Sequence, residues 1–246
     1  MLRLTLRDKA LLVKCSVCRW LTTTQIQRLY FPSATLNAVQ KRLRKLSDAG
    51  YLRSYRENLI AEALHTVGPK GQAVFLEKGI EFVTGSDVPR QVEHLVGIND
   101  IRISVETGTV SIPFFFAHWQ LSNLGWKHAV IPDAIFAVKD PLRRTFLVEY
   151  DRGTEPLGIL LKKLGAYEEL TGFPFEAVLI VTEQIRQRDL FSRKVRDGNL
   201  VVPVFMSHID EIREVGIFRS DFSDVASQRR TTLTQLHEVR HEEDEA

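Results

Sequence analysis

The chain has 246 residues, 44% of them hydrophobic and 26% charged, with a formal net charge of +2. This is the composition of an ordinary globular protein with room for two modest domains, and no apolar run approaches the roughly 20 residues that cross a bilayer. The charge is uneven: residues 1–85 carry 14 Lys+Arg against 6 Asp+Glu, a net +8, and the remainder 19 against 25, a net −6. A basic N-terminal third is the electrostatic footprint of a polyanion binder. The opening MLRLTLRDKALL sets Arg, Asp and Lys among its apolar positions. It therefore does not read as a secretory signal, and a cytoplasmic location is expected. Cys15 and Cys18 form one C-x-x-C. Without a second Cys pair or a nearby His pair, a structural zinc site lacks ligands. Inside a predicted helix the two read as core thiols, with a redox pair as the alternative.

Residues 6–20 predict a first helix with Leu11, Leu12, Cys15, Val17 and Cys18 inward. Thr22, Thr23 and Thr24 break that pattern, and Thr23 or Thr24 is the expected N-cap of a short second helix over 25–30. Phe31-Pro32 ends it. In the stretch from Ser33 to Tyr51, Leu36, Val39, Leu43 and Leu46 recur at helical spacing. Ser33 is the expected N-cap and Gly50 the stop. The opposite stripe carries Asn37, Lys41, Arg44 and Lys45. A short helix with a cationic, amide-bearing outer face suits a DNA major groove, although a solvated basic face is the plainer reading of the helix alone. Its neighbours favour the first reading, because helix, short helix, tight turn and amphipathic helix is the helix-turn-helix order. Tyr51–Tyr55 and Ala63–Val67 then predict a hairpin with its tip at 57–60, followed by a fourth helix over 70–77.

Residues 81–92 contain Gly85, Ser86, Asp87 and Pro89 and read as a linker. A helix is expected over 93–107, and strands over 110–119 and 127–131. Two apolar strands, IPDAIFAVKD and RRTFLVEYDRG, are joined at Asp140-Pro141. A long helix over 155–171, a buried strand EAVLIVTE, a basic helix over 184–197, a strand NLVVPVFMS and a short helix at 210–214 complete an α/β pattern with a mixed sheet, α+β over the whole chain. The expected organisation is a DNA-binding domain over 1–80, a linker over 81–92, an α/β domain over 93–226 and a charged tail over 227–246. His65, His94, His118, His128 and His208 lack metal-ligand spacing and read as surface or core residues.

Asp133 opens one of the two apolar strands and Glu149 closes the other. Alternation puts Glu149 and Asp151 on one sheet face, and pairing of the strands would bring Asp133 to them. Clustered carboxylates raise one another's pKa unless a cation compensates, and an oxygen-rich set suits Mg²⁺ or Mn²⁺.

These motifs resemble known families. The end of the third helix, L-x-x-L-x-x-x-G-Y-L, and the T-x-G-P-K-G before the fourth are similar to the winged-helix DNA-binding domains. That resemblance implies groove contacts from Asn37, Lys41, Arg44 and Lys45 and wing contacts from Arg53 and Arg56. Pro132-Asp133, about 15 residues and then Glu149 resembles the PD-(D/E)xK restriction-endonuclease-like nucleases. It implies a nuclease-like domain with Asp133 and Glu149 as catalytic acids, and Asp133, Glu149 and Asp151 as metal ligands for Mg²⁺. Asp151 stands where that family has its lysine, so Lys162 or Lys163 would have to supply the charge. Lys163-x-x-x-Tyr167 resembles the Gln-x-x-x-Tyr helix of RecB-type nucleases, with Lys for Gln. The longer string PDAIF, FLVEYDRGTEP, LLKKLGAYEEL resembles the replication-relaxation family of plasmids and mobile elements. It implies a sequence-specific double-stranded-DNA-binding protein of replication, mobilisation or transcriptional control. Such a protein needs no cofactor to bind DNA, works as a homodimer and has relaxase or replication proteins as possible partners. The alternative is a Mg²⁺-dependent endonuclease targeted by the winged helix.

Overall fold

A computed structural model of the chain describes residues 2–76, 88, 91–139, 143–170, 172–184, 188–197 and 201–235. The chain divides into two compact units, Met1–Asn99 and Asp100–Ala246. The stretch read as a linker lies outside the described residues except at 88, 91 and 92.

The first unit opens with α1 (Leu6–Val17), capped by Thr5 in a reciprocal box with Asp8. A two-residue strand β1 (Leu21–Thr22) leads into α2 (Thr23–Tyr30) and, after a short turn, α3 (Leu36–Asp48). The hairpin follows as β2 (Leu52–Tyr55) and β3 (Leu64–Val67), then α4 (Pro69–Leu76). The three strands form one antiparallel sheet in the order β1-β3-β2. The buried stripe of α3 is Val39, Leu43 and Leu46; Leu36 is 42% exposed. The reason is the cap. Thr35, not Ser33, accepts from Ala38 N, so Leu36 falls in the first turn, before the helix meets the core. In the same way Thr22 caps α2, ahead of the expected Thr23 or Thr24. Gly50 has φ +81°, a left-handed conformation that suits the helix exit. Gly68 is required by close approach: a Cβ there would lie 2.6 Å from Gly50 O. This accounts for the glycine of the T-x-G-P-K-G string.

α1 and α3 are joined by a buried ion pair. Asp8, 1% exposed, accepts from Arg42 Nε at 2.9 Å and also from Arg42 Nη2. Burial alone would raise the Asp8 pKa, but the bonds from Arg42 and Thr5 prevail and hold it below the usual carboxylate range. Arg42→Ala leaves that carboxylate buried with only its Thr5 partners. The expected cost is about 2 kcal/mol, below the full value of a buried pair because Arg42 is partly exposed. Asp8→Ala removes the capping box as well and is expected to cost more. Thermal unfolding of the two variants checks both the size and the order.

The last residues of the first unit belong to the start of α5 (Val92–Glu106). Asn99, fully buried, donates to the carbonyls of Cys18 and Trp20, and Gln25 donates to Val96 O. Sequence periodicity counts Asn99 among the polar positions of this helix, yet it is a buried clamp. Cys15 and Cys18 are buried thiols not joined in a disulfide, and burial pushes the Cys15 pKa up.

The second unit is built on a seven-stranded mixed sheet in the order β10-β9-β8-β7-β6-β5-β4. Its elements are β4 (Phe114–Ala117), α6 (His118–Leu121), β5 (Ala134–Lys139), β6 (Arg143–Asp151), α7 (Leu157–Glu168), β7 (Ala177–Thr182), α8 (Arg188–Asp197), β8 (Val204–His208), α9 (Ile209–Val215), β9 (Phe222–Asp224) and β10 (Arg230–Thr231). β6, β7 and β8 run parallel, with α7 and α8 as the crossovers, and the remaining pairs are antiparallel. Helix on sheet is thus the architecture expected, with three differences. The strand expected over 110–119 stops at Ala117, where Asp133 O takes His118 N and Gln120 Oε1 takes Ala117 N. Residues 127–131 form no strand. Arg230 and Thr231, read as tail, pair with β9. The Asp140-Pro141 junction and residues 236–246 lie outside the described residues.

One sheet face carries Ile135, Leu147, Val178, Ile180, Val204 and Met206, packed with Leu160, Leu164 and Tyr167 of α7 and Phe191 and Val195 of α8. On the β4–β6 part of the sheet, Phe115, Phe136 and Phe146 stack in sequence. Arg102 is 2% exposed and lies over the Phe115 ring while donating to Phe115 O.

Candidate functional site

In the first unit, Asn37, Lys41, Arg44 and Lys45 on α3, with Arg53 on β2 and Arg56 just after it, are all exposed. This follows from the helix period: Val39, Leu43 and Leu46 turn inward, so positions 37, 41, 44 and 45 face solvent. A hydrogen-bond chain fixes the hairpin against this helix. Ser47 Oγ bonds Ser54 Oγ at 2.8 Å, Ser54 Oγ bonds His65 Nδ1 at 2.9 Å, and His65 Nε2 bonds Thr23 Oγ1 at 3.0 Å. The last turn of α3, both hairpin strands and the first turn of α2 therefore share one imidazole. Burial, with the nearby Arg56 charge, lowers the His65 pKa to about 4, so the ring is neutral at physiological pH. Spacing gave no reason to single out His65. Its role depends on β3 lying between β1 and β2.

In the second unit, Asp133 and Glu149 come together. The β5–β6 ladder ends with Ala134 opposite Val148, and one step further in the same register sets Asp133 opposite Glu149. Asp133 is 9% exposed and Glu149 2%. Asp133 Oδ2 accepts from Tyr150 N at 2.8 Å. Glu149 shares its sheet face with Leu147, under α7. Lys163 and Tyr167, four residues apart on α7, reach the same carboxylate. Lys163 Nζ donates to Glu149 Oε2 at 2.8 Å, and Tyr167 OH donates to Glu149 Oε1. Burial first, then the Asp133 charge, raises the Glu149 pKa; Lys163 and Tyr167 act against that rise, leaving it pushed up to about 7. Burial works against the charged form of Lys163, but Glu149 and Asp133 outweigh it and the net shift is upward.

Asp151 does not join the carboxylate pair in this way. Its Oδ1 accepts from Gly153 N at 2.7 Å and closes the turn after β6. Arg152 pairs with Glu183 at 3.7 Å, and Pro156 is the N-cap of α7, with no side-chain cap bond. Lys162 is exposed. Tyr167 is the residue that spacing undervalued. The Lys163-x-x-x-Tyr167 interval was its signal, because both side chains of such a pair must leave one helix face together.

Could this set hold a divalent cation? Hard cations take several oxygens, usually carboxylates. Both Glu149 oxygens are already engaged, one by an ammonium and one by a hydroxyl, and Asp151 is committed to its own turn. The Lys163 ammonium supplies the positive charge next to the acids that a metal would bring. As arranged, Glu149 is taken up by protein partners rather than set as a metal ligand. What these residues form is a buried acid pair neutralised from α7.

Against known proteins, the family model described as Replication-relaxation matches residues 16–176. No curated protein and no solved structure matches the chain. The matched span runs from the last two residues of α1 to the residue before β7, and so includes α3, the hairpin, Asp133, Glu149, Lys163 and Tyr167.

Proposed function

We propose that this chain, which belongs to the replication-relaxation family, is a sequence-specific double-stranded-DNA-binding protein whose first unit is a winged helix. Membership relates it to the replication or mobilisation of plasmids and mobile elements. The observation that carries the proposal is the exposed Asn37, Lys41, Arg44 and Lys45 face of α3, beside a hairpin bearing Arg53 and Arg56, in the basic third of the chain. Cationic helix faces bind phosphates, and the amide and guanidinium groups can read base edges. One helix reads few base pairs, so two copies would act on a two-fold site, with relaxase or replication proteins as further partners. No helix among the described residues is long and apolar enough to cross a membrane. The test is site selection from a random duplex pool, followed by a gel shift of the wild type and of the Lys41→Glu/Arg44→Glu variant. No enrichment by the wild type would refute the proposal.

Arg53 and Arg56 act on phosphate under this reading. Alanine at either position is expected to weaken specific and non-specific binding alike. The salt dependence should become shallower by about one unit for each phosphate left without its arginine. Affinity measured on two unrelated duplexes at several salt concentrations checks this. A change of base preference at a single position would reassign the residue to base reading.

A second reading is Mg²⁺- or Mn²⁺-dependent endonuclease activity of the second unit. It draws on the convergence of Asp133, Glu149 and Lys163, the residue types of a PD-(D/E)xK site. The engagement of both Glu149 oxygens speaks against it. Incubation with supercoiled plasmid and either metal discriminates. We expect no cleavage, whereas nicking that Asp133→Ala and Glu149→Ala both abolish would establish the enzyme.

A further inference from the structure

We infer that the tip of the β2–β3 hairpin is an apolar wedge, with Leu59 and Ile60 inserting into the minor groove of duplex DNA and kinking it at a base step; this rests on the DNA-binding reading above. Leu59 is 93% exposed and Ile60 98%. Two adjacent aliphatic side chains so fully in water are a lost opportunity for burial in the unbound protein. The tip is also built to hold them out. Asn58 Oδ1 accepts from Ile60 N at 2.9 Å and Ala61 N at 2.7 Å, and Arg56 Nη1 donates to Leu59 O at 3.3 Å. The backbone groups at the tip are satisfied within the turn, and the side chains point away from it.

The chemistry around the tip selects the occupant. Arg53 lies on the strand leading to it and Arg56 just after that strand, and Lys41, Arg44 and Lys45 are exposed on α3 of the same unit. Of the nearby acids, Glu62 is held by a bond from Thr24 N at 2.6 Å at the start of α2, and Glu57 is exposed at the start of the tip. A second copy of the chain would need a far larger surface, since a stable interface buries about 800 Å² on each partner. An intercalating wedge needs only one or two apolar side chains, because the gap it fills is a single base step. Flanking cations then hold the adjacent phosphates. Flexible pyrimidine–purine steps open most easily, so the wedge also provides a sequence preference without base hydrogen bonds.

The experiment uses the full chain and two duplexes of about 30 bp with dyes at both ends, one carrying TpA steps and one an A-tract. The wild type is expected to shorten the end-to-end distance of the TpA duplex and to prefer it by roughly tenfold. Leu59→Ser/Ile60→Ser, both changes in fully exposed side chains, should still bind both duplexes but leave them straight and nearly equal in affinity. Wild-type binding without bending, or equal bending by wild type and variant, overturns the wedge and leaves the DNA-binding reading intact. Wild-type self-association in sedimentation that the serine variant loses overturns it too, by assigning the tip to contacts between copies. Failure of the wild type to bind either duplex at low salt refutes the underlying DNA reading, and the wedge with it.

Discussion

Lys41→Glu/Arg44→Glu is expected to lower duplex affinity by about 100-fold or more at moderate salt while leaving the fold intact. Each reversal removes a cation from the α3 face and adds an anion facing phosphate, so two substitutions change the local charge by four. Binding that rests on counterion release weakens steeply with every phosphate that goes unneutralised. The fold is insulated because both side chains are exposed and the core stripe of α3 is Val39, Leu43 and Leu46. Surface changes of this kind alter stability by about 0.5 kcal/mol or less. Arg42, between the two, would be a misleading choice, since its guanidinium holds buried Asp8. A gel shift at fixed salt together with circular dichroism makes the comparison, and unchanged affinity in a folded variant would remove α3 from the interface.

Lys163→Met is expected to cost about 3 kcal/mol at about pH 8 but about 1 kcal/mol or less at about pH 5. The sign follows from the direction of the Glu149 shift. Its folded pKa is raised to about 7, so the folded state holds the proton more tightly than the unfolded chain, where a glutamate titrates near 4.3. The stability this contributes is fully present below the unfolded value and is lost as pH rises through about 7. Without the Lys163 ammonium the folded pKa climbs further, so the variant goes on losing stability above the pH at which the wild type levels off. At the lower pH Glu149 is protonated with or without the lysine, so the charge pair with Glu149 no longer counts and only packing of the lysine stem and its attraction to Asp133 are lost. At the higher pH the thermal midpoint should fall by roughly 6–12 °C. In a Glu149→Gln background the same lysine substitution should cost little at either pH, which a double-mutant cycle reads directly. Equal losses at both pH values would show that Lys163 contributes packing rather than charge.

Much of this was legible in the sequence, for physical reasons that differ from one element to another. α3 declares itself because its apolar period and the Gly50 exit are both local, and the cationic stripe follows once the stripe at Val39, Leu43 and Leu46 is assigned. Its start was less legible: Ser33 and Thr35 are both competent caps, and only the position of Ala38 N decides between them. β5 and β6 were readable as apolar runs, and their pairing follows from a short junction. β1 was not, because a strand of two residues exists only through its partner β3. The strand expected at 127–131 does not form, and Val130 O accepts from the Trp126 side chain instead. The Glu149–Lys163 pair lay between these extremes. Alternation placed Glu149 on a sheet face, and the interval from Lys163 to Tyr167 placed two donors on one helix face. That they meet depends on how Leu160, Leu164 and Tyr167 seat α7 on the sheet. Asn99 and His65 were opaque, since their hydrogen-bond partners come from distant segments.

The central claim is that the basic face of the first unit binds duplex DNA, and the salt dependence of that binding tests it most directly. The full chain is titrated against a labelled duplex of about 30 bp across roughly 50–300 mM salt, and log affinity is plotted against log salt concentration. With Lys41, Arg44, Lys45, Arg53 and Arg56 at the phosphates, the slope should be roughly −4.5 per bound copy, and it should become shallower in the Lys41→Glu/Arg44→Glu variant. A slope shallower than about −1, or no binding at the lowest salt, would contradict the claim.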